Sequence, residues 1–179
     1  MKDWNVVISI REGFFKEACV LLEQFGAVSK TGFFNVLVMR VEDTSLLVEK
    51  LREQLATEPA TARFLARVMP VTQSFSFQAP AVFEEKARET VSSWIPALAA
   101  KSFHVRMHRR GFKGRLSSME EERFLDDFIL AALEQAGSPG HITFEDPDAV
   151  IVVETVGQRA GLSLWTREEL RRYPFLHPD

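Results

Sequence analysis

A cluster of cationic side chains is the most distinctive chemical feature of the sequence. Residues 101–115 contain six Lys and Arg residues and no acidic residue. Guanidinium groups present forked donors that match phosphate oxygens, so this segment is suited to binding a polyanion. His104 and His108 lie in the same segment and add positive charge when they are protonated beside a bound polyanion. The chemistry that these residues predict is anion binding.

The charge is distributed unevenly along the chain. The formal net charge is −3 at pH 7, and a value of that sign argues mildly against nucleic-acid binding. Outside residues 101–115, however, the chain has 16 basic and 25 acidic residues, a net charge of −9. A cationic patch on an anionic body can bind polyanions locally. A solvated basic loop is the alternative interpretation of the cluster.

The residues that follow the cluster predict a helix whose start can also bind an anion. Ser117 and Ser118 each have a Glu three positions later, which doubles the capping-box signal. Backbone N–H groups at a helix start are unpaired, and the helix dipole adds partial positive charge there. The acidic run Glu120–Glu122 competes for these groups, which favours a phosphate position on the preceding strand and loop.

Other kinds of chemistry have little support in the sequence. Cys19 lies in an apolar helical pattern, which indicates a packing role for its side chain. His104 and His108 would stand about 13 Å apart on a strand, which argues against a shared metal ion. The sequence contains no phosphate loop, no dinucleotide fingerprint and no nucleophile with a plausible partner. We therefore expect no catalytic residue, no metal site and no cofactor.

Apolar periodicity predicts the elements that carry these residues. In residues 1–79 the order strand, helix, strand, helix, strand predicts an α+β sandwich of the ferredoxin-like kind. The predicted strands are Trp4–Arg11, Phe33–Val41 and Val71–Phe77, with a helical stretch over Thr61–Val68. Ala79 and Pro80 mark the predicted boundary with a second domain over residues 80–179.

The second half carries the basic cluster on a predicted strand. Apolar residues alternate with His104, Arg106 and His108, which predicts a strand with one cationic face. A flexible turn over Gly111–Gly114 and the Ser-capped helix follow. Later, Ala149–Val156 reads as a strand buried on both faces.

Composition limits the class of protein. With 46% hydrophobic and 26% charged residues, the chain has enough apolar material for a folded core. No apolar run approaches the ~20 residues that a membrane span needs, and the first residues enter a strand pattern rather than a signal peptide. A single cysteine favours a reducing, cytoplasmic setting.

Several segments in the same order resemble the THUMP domain, a tRNA-binding module. These segments are Arg67–Val71 followed by Phe75, Phe103–Arg110 followed by Leu116–Ser118, Phe144–Asp148 followed by Val150–Glu154, and Gly157–Ser163. The resemblance covers about residues 58–166. Among THUMP proteins, the chain resembles most closely the small stand-alone members that assist a tRNA cytidine acetyltransferase. It implies a THUMP core after the ferredoxin-like region, with no room in this chain for the catalytic domain that other members carry.

The resemblance places RNA-facing features on Arg106, Arg109, Arg110 and the loop Gly111–Arg115, and extends them to Arg63 and Arg67. Together with the basic cluster, it yields the predicted RNA-binding residues Arg63, Arg67, Lys101, Arg106, His108, Arg109, Arg110, Phe112, Lys113 and Arg115. Phe112 can stack on an unpaired base or anchor its loop, and the sequence leaves both roles open.

These observations lead to a hypothesis and a rival. The hypothesis is a non-catalytic tRNA-binding protein that presents tRNA to a separate modifying enzyme, for which the resemblance favours a cytidine acetyltransferase. Binding would use shape and phosphate contacts at the acceptor stem, the 3′ end or the D-arm region. The rival is a small α+β regulatory or scaffold protein that acts through protein contacts without RNA. The sequence leaves the oligomeric state, including a homodimer, open.

Overall fold

The computed structural model describes the chain from Met1 to Asp179. Two units can be distinguished: Met1–Thr72 with Leu170–His177, and Gln73–Glu169 with Pro178–Asp179. This division precedes the boundary expected after residue 79, because the strand at Gln73–Ser76 pairs with a strand of the second unit. Helices and strands are mixed in both units, which confirms the predicted α+β class.

The first unit is a four-stranded antiparallel sheet with helices between its strands. Its elements are β1 (Val6–Ile10), α1 (Phe15–Glu23), β2 (Ala27–Lys30), β3 (Val36–Arg40), α2 (Thr44–Thr57), a 3₁₀ helix (Pro59–Phe64) and β4 (Leu65–Pro70). The strand order in the sheet is β2-β3-β1-β4. The elements of this unit follow one another in the order β-α-β-β-α-β. Asp43 caps α2, accepting hydrogen bonds from the N–H groups of Ser45 and Leu46.

Two features of this unit differ from the expectation. β2 was not predicted, because a four-residue edge strand with exposed ends carries almost no apolar pattern. The helical stretch expected over residues 61–68 is wrong from Leu65 onward, where β4 begins. Antiparallel pairing of β4 with β1, with Val68 opposite Ile8, overrides the local helical pattern.

The second unit is a five-stranded sheet. Its elements are β5 (Gln73–Ser76), α3 (Pro80–Ser92), a 3₁₀ helix (Pro96–Leu98), β6 (Ser102–His108), α4 (Ser118–Gln135), β7 (His141–Ile142), β8 (Ala149–Val156) and β9 (Arg159–Thr166). The strand order is β5-β9-β8-β6-β7, with β6 parallel to both its neighbours. After β9 come α5 (Arg167–Arg172) and a 3₁₀ helix (Pro174–Leu176). None of the helices combines the length and the apolar character that crossing a membrane requires.

The apolar face of β6 lies in the core of this unit. Phe103, Val105 and Met107 are buried, as their alternation predicted, in a core that also contains Leu125 and Ile129 of α4. Burial of each side chain of this size contributes about 1.5–3 kcal/mol to the stability of the folded state. The position of α4, and of the turn that leads into it, follows from this packing.

Carboxylates of α4 complete the hydrogen bonding of β6. β7 pairs only with Ser102 and Phe103, which leaves the rest of that strand edge without a neighbouring strand. Asp126 accepts the N–H of Val105 at 3.0 Å, and Glu122 accepts the N–H of Met107 at 2.8 Å. Because backbone N–H groups at a sheet edge must find partners, these acidic residues have a structural role.

Two acidic residues of α4 hold their protons more tightly than usual. Burial, followed by a hydrogen bond and charge repulsion from Glu84, raises the pKa of Glu121 from 4.5 to about 8. Burial raises the pKa of Asp126 from 3.8 to about 7, although the hydrogen bond from the N–H of Val105 acts in the opposite direction. Both groups therefore favour the neutral carboxyl in the folded protein.

The stability of the protein should fall as the pH rises through these values. Both carboxyls have a higher pKa in the folded than in the unfolded chain, so their contribution is full below about pH 4 and is lost towards pH 8. Glu121→Gln, which is neutral at every pH, should raise the free energy of unfolding at pH 8 by about 1–3 kcal/mol and change it little at pH 4. Urea denaturation at both pH values measures this effect.

Glu134→Gln provides the control, because Glu134 is exposed in the last turn of the same helix. Equal effects of the Glu121 variant at both pH values would contradict the assignment of the raised pKa to burial.

Candidate nucleic-acid interface

The segment Arg109–Arg115, which we call the basic turn, joins β6 to α4. Its backbone has positive φ angles at Gly111 (99°), Phe112 (54°) and Gly114 (77°). Gly111 lies against the turn between β8 and β9, and a Cβ added there would stand 3.1 Å from the Cα of Gly157. The close approach and the φ angle together require glycine at position 111.

The sequence predicted a flexible turn here, but contacts at the start and in the middle of the basic turn hold it in place. The N–H of Arg110 donates to the hydroxyl of Thr155 at 3.0 Å, and the N–H of Gly157 donates to the Arg110 carbonyl at 2.9 Å. The ring of Phe112 packs against the core, with its centroid 4.9 Å from that of Phe77. Of the two roles left open for Phe112, these contacts support the loop anchor.

Arg110 forms an ion pair inside the unit. Its guanidinium nitrogen lies 2.5 Å from a carboxylate oxygen of Glu154 on β8, and the two side chains are 12% and 0% exposed. A buried charge needs its partner, because the desolvated carboxylate alone is strongly unfavourable. Arg110 therefore neutralises Glu154 and positions the turn, which differs from the RNA-facing role that its sequence suggested.

The cationic face predicted for β6 is covered by the last two residues of the chain. His104 is fully buried, with its Nε2 3.2 Å from a carboxylate oxygen of Asp179. Arg106 donates to the same oxygen at 3.1 Å, and His108 donates to the carbonyl of Pro178 at 2.7 Å. Arg106 and His108, both predicted to face RNA, are thus engaged within the protein in this structure.

Three further predicted residues are not part of the basic turn. Lys101 is exposed before the start of β6, and Arg109 follows its end, a separation of about 26 Å for an extended strand. Arg63 and Arg67 belong to the first unit. The guanidinium of Arg63 stands 5.9 Å from the centre of the Phe14 ring, and Arg67 is half-buried on β4. The predicted RNA-binding residues therefore belong to several elements and to both units.

The remaining cations border a depression at the start of α4. Arg109 and Arg115 line it, and Lys113 is exposed in the same turn. Arg109 also donates to the carbonyl of Gly111, while the guanidinium of Arg115 lies over the Phe112 ring at 5.0 Å. The depression has a volume of about 460 Å³ and is lined by Arg109, Gly114, Arg115, Leu116, Ser117, Ser118, Met119 and Glu120.

The first turn of α4 contributes positive potential to this depression. Ser117 is the N-cap, as the sequence predicted, and its hydroxyl accepts the N–H of Glu120 at 3.3 Å. The acidic run Glu120–Glu122 competes less with an anion at the helix start than its sequence suggested. Glu121 is buried and Glu122 binds the edge of β6, so Glu120 alone of the three lines the depression. Guanidinium groups beside a helix N-terminus form an arrangement that can hold a phosphate.

Sequence reasoning missed the residues that position this turn. On β8, Glu154 pairs with the Arg110 guanidinium and Thr155 accepts the Arg110 N–H. Phe77 packs against the ring of Phe112. An acidic residue inside the apolar strand Ala149–Val156 was a usable signal for an internal partner. Nothing local in the sequence indicates that Asp179 contacts β6.

Gly111→Ala should destabilise the protein more than Gly114→Ala. Both positions have positive φ, but a Cβ at 114 meets no atom within 4 Å, whereas one at 111 meets the Gly157 backbone. We expect a loss of about 1 kcal/mol at position 114 and about 2–4 kcal/mol at position 111. Thermal denaturation of the two variants measures the difference, and equal losses would contradict the close approach.

Arg110→Gln should lower the free energy of unfolding by about 3 kcal/mol, because it removes the guanidinium that pairs with the buried Glu154 carboxylate. Adding Glu154→Gln should restore at least half of this loss, since the buried carboxylate of the pair is then neutral. Urea denaturation of the two single variants and the double variant at pH 7 measures the coupling, and purely additive losses would show that the pair is not coupled.

Comparison with known proteins shows the fold. No family model and no curated protein matches this sequence. PH1313 from Pyrococcus horikoshii has a similar structure at 9% identity, with a TM-score of 0.56 over 92% of this chain and 55% of that protein. TrmN from Thermus thermophilus is similar at 15% identity, with a TM-score of 0.53 over 90% of this chain and 44% of TrmN.

A 4-thiouridine synthetase, solved as a complex with RNA and bound ATP, matches at 14% identity. Its TM-score is 0.55, over 92% of this chain and 42% of the synthetase. This chain spans about half the length of the solved chains that it matches. At these identities the likeness establishes a shared α+β fold, which extends over nearly all of the present chain.

Proposed function

We propose that this protein binds tRNA and presents it to a separate modifying enzyme, without contributing a catalytic residue. The observation that carries the proposal is the convergence of Arg109, Arg115 and the start of α4 on one depression. Guanidinium groups supply charge and forked donors, and the helix start supplies unpaired N–H groups. This combination suits the phosphodiester backbone of a nucleic acid.

The choice of RNA as the polyanion has two further supports. The segments from Arg67 to Ser163 resemble a tRNA-binding module, and the chain shares its fold with a synthetase that was solved with RNA. The acidic remainder of the chain favours binding through one confined surface, since it repels phosphates elsewhere. We infer recognition of tRNA by shape and phosphate contacts at the acceptor stem, the 3′ end or the D-arm region.

The side chains around the basic turn support binding rather than catalysis. Glu154 is paired with Arg110, while Glu122 and Asp126 accept backbone N–H groups of β6. Cys19 is on α1, where burial and then Glu23 raise the pKa of its thiol and so disfavour the reactive thiolate. The modifying enzyme would be a separate protein, and the resemblance to stand-alone THUMP proteins favours a cytidine acetyltransferase.

Reversing two charges of the basic turn should weaken tRNA binding. Lys113 and Arg115 are exposed, so Lys113→Glu with Arg115→Glu removes phosphate contacts without touching the buried Arg110 pair. In filter binding to total tRNA at low salt we expect an affinity loss of about tenfold or more. The slope of log K against log salt should also become shallower by about 1–2, because fewer counterions are released.

The matched control is Lys50→Glu with Arg88→Glu, which reverses two exposed charges on α2 and α3. It should change the affinity by less than about twofold, and circular dichroism of both variants checks the fold. A wild-type protein that fails to bind tRNA at about 50 mM salt would overturn the proposal. Unchanged affinity of the basic-turn variant would overturn the assignment of the phosphate contacts to the basic turn.

A further inference from the structure

Pro178 and Asp179 contact three nitrogen-bearing side chains on the polar face of β6, those of His104, Arg106 and His108. One oxygen of Asp179, Oδ1, lies 3.1 Å from Nε of Arg106 and 3.2 Å from Nε2 of His104. The carbonyl of Pro178 accepts from Nε2 of His108 at 2.7 Å. A carboxylate and a carbonyl therefore take the positions that phosphate oxygens would take at these side chains.

We propose that Pro178–Asp179, which we call the acidic strap, is an internal competitor for RNA phosphate on β6 and is displaced when tRNA binds. This inference rests on the proposed function. It adds a second phosphate subsite, formed by Arg106 and the two histidines, which the strap keeps closed in the free protein.

Exposure distinguishes the strap from the structural ion pairs of the unit. The side chains of Arg106 and Asp179 are 35% and 55% exposed, whereas those of Arg110 and Glu154 are almost fully buried. Exposed ion pairs contribute little net stability because water competes with them. A phosphate can therefore replace Asp179 at Arg106 at small cost, but cannot replace Glu154 at Arg110.

The subsite is already organised for an anion. Nδ1 of His104 lies 3.0 Å from the Thr143 carbonyl, and its ring packs against Phe144 with centroids 5.1 Å apart. These contacts hold the ring in place independently of the strap. Glu122, which lies 3.9 Å from Arg106, is tied to the Met107 N–H, so the strap is the anion that can leave.

The subsite is continuous with the basic turn. His108 ends β6, and Arg109 follows it directly as the first residue of the turn that borders the depression. Arg106 and Arg109 are about 10 Å apart along the extended chain. One polynucleotide can therefore contact both the depression and the face of β6 once the strap has moved.

Asp179→Asn tests the inference, because it removes the competing charge and keeps the size of the side chain. We expect tRNA binding to tighten by about two- to fivefold, as exposed ion pairs of this kind predict. Glu145→Gln, which neutralises an exposed carboxylate of the same unit, is the control and should change affinity by less than about 1.5-fold.

A double-mutant cycle separates competition from a general charge effect. In an Arg106→Gln background the Asp179→Asn substitution should no longer improve binding, because the contested cation is gone. Nitrogen NMR of labelled histidines gives a direct readout: saturating tRNA should shift the His104 and His108 ring signals of the wild-type protein as the strap leaves.

The outcomes separate this inference from the proposed function. Binding by the wild type with no gain for Asp179→Asn over the Glu145 control would overturn the strap and leave tRNA binding intact. Binding by the Asp179 variant alone would support the strap while overturning tRNA binding by the free protein. Absence of binding by both would overturn both proposals.

Discussion

The buried ion pair between Arg110 and Glu154 is the interaction on which the candidate interface depends. Because Glu154 is fully buried on β8, its charge is tolerable only with a cation beside it, and Arg110 supplies that cation from the start of the basic turn. The pair draws the turn against the β8–β9 hairpin, where Gly111 allows the two backbones to approach closely. Phe112 then reaches the core, and Arg109 and Arg115 come to the start of α4.

The cations of the basic cluster consequently have different roles, although they are alike in sequence. Arg110 is structural, while Arg109, Lys113 and Arg115 form the candidate phosphate surface. Arg106 is intermediate between these two groups, because its ion pair with Asp179 is partly exposed to solvent. Burial, rather than charge alone, decides which cation is available to a ligand, since a desolvated pair cannot separate without leaving an uncompensated charge.

The acidic residues of α4 show how an anionic helix can stand beside a candidate anion site. Glu122 and Asp126 are directed to the open edge of β6, where they accept backbone N–H groups. Glu121 is buried near Glu84, and burial raises its pKa to about 8, which keeps it largely neutral at physiological pH. Of the acidic residues that lie close to the basic turn in sequence, Glu122 therefore accepts a hydrogen bond from the edge of β6, and Glu121 is kept largely neutral by burial.

Local patterns determined much of this protein. The sequence alone predicted the alternation in β6, the apolar run of β8, the Ser117 cap and the basic cluster, because each depends on residues close in sequence. Tertiary structure alone decided the short edge strand β2, the conversion of residues 65–68 to β4, the Glu154 partner of Arg110 and the position of Asp179 on β6. These features depend on contacts between residues far apart in the chain, whose pairing no local periodicity encodes.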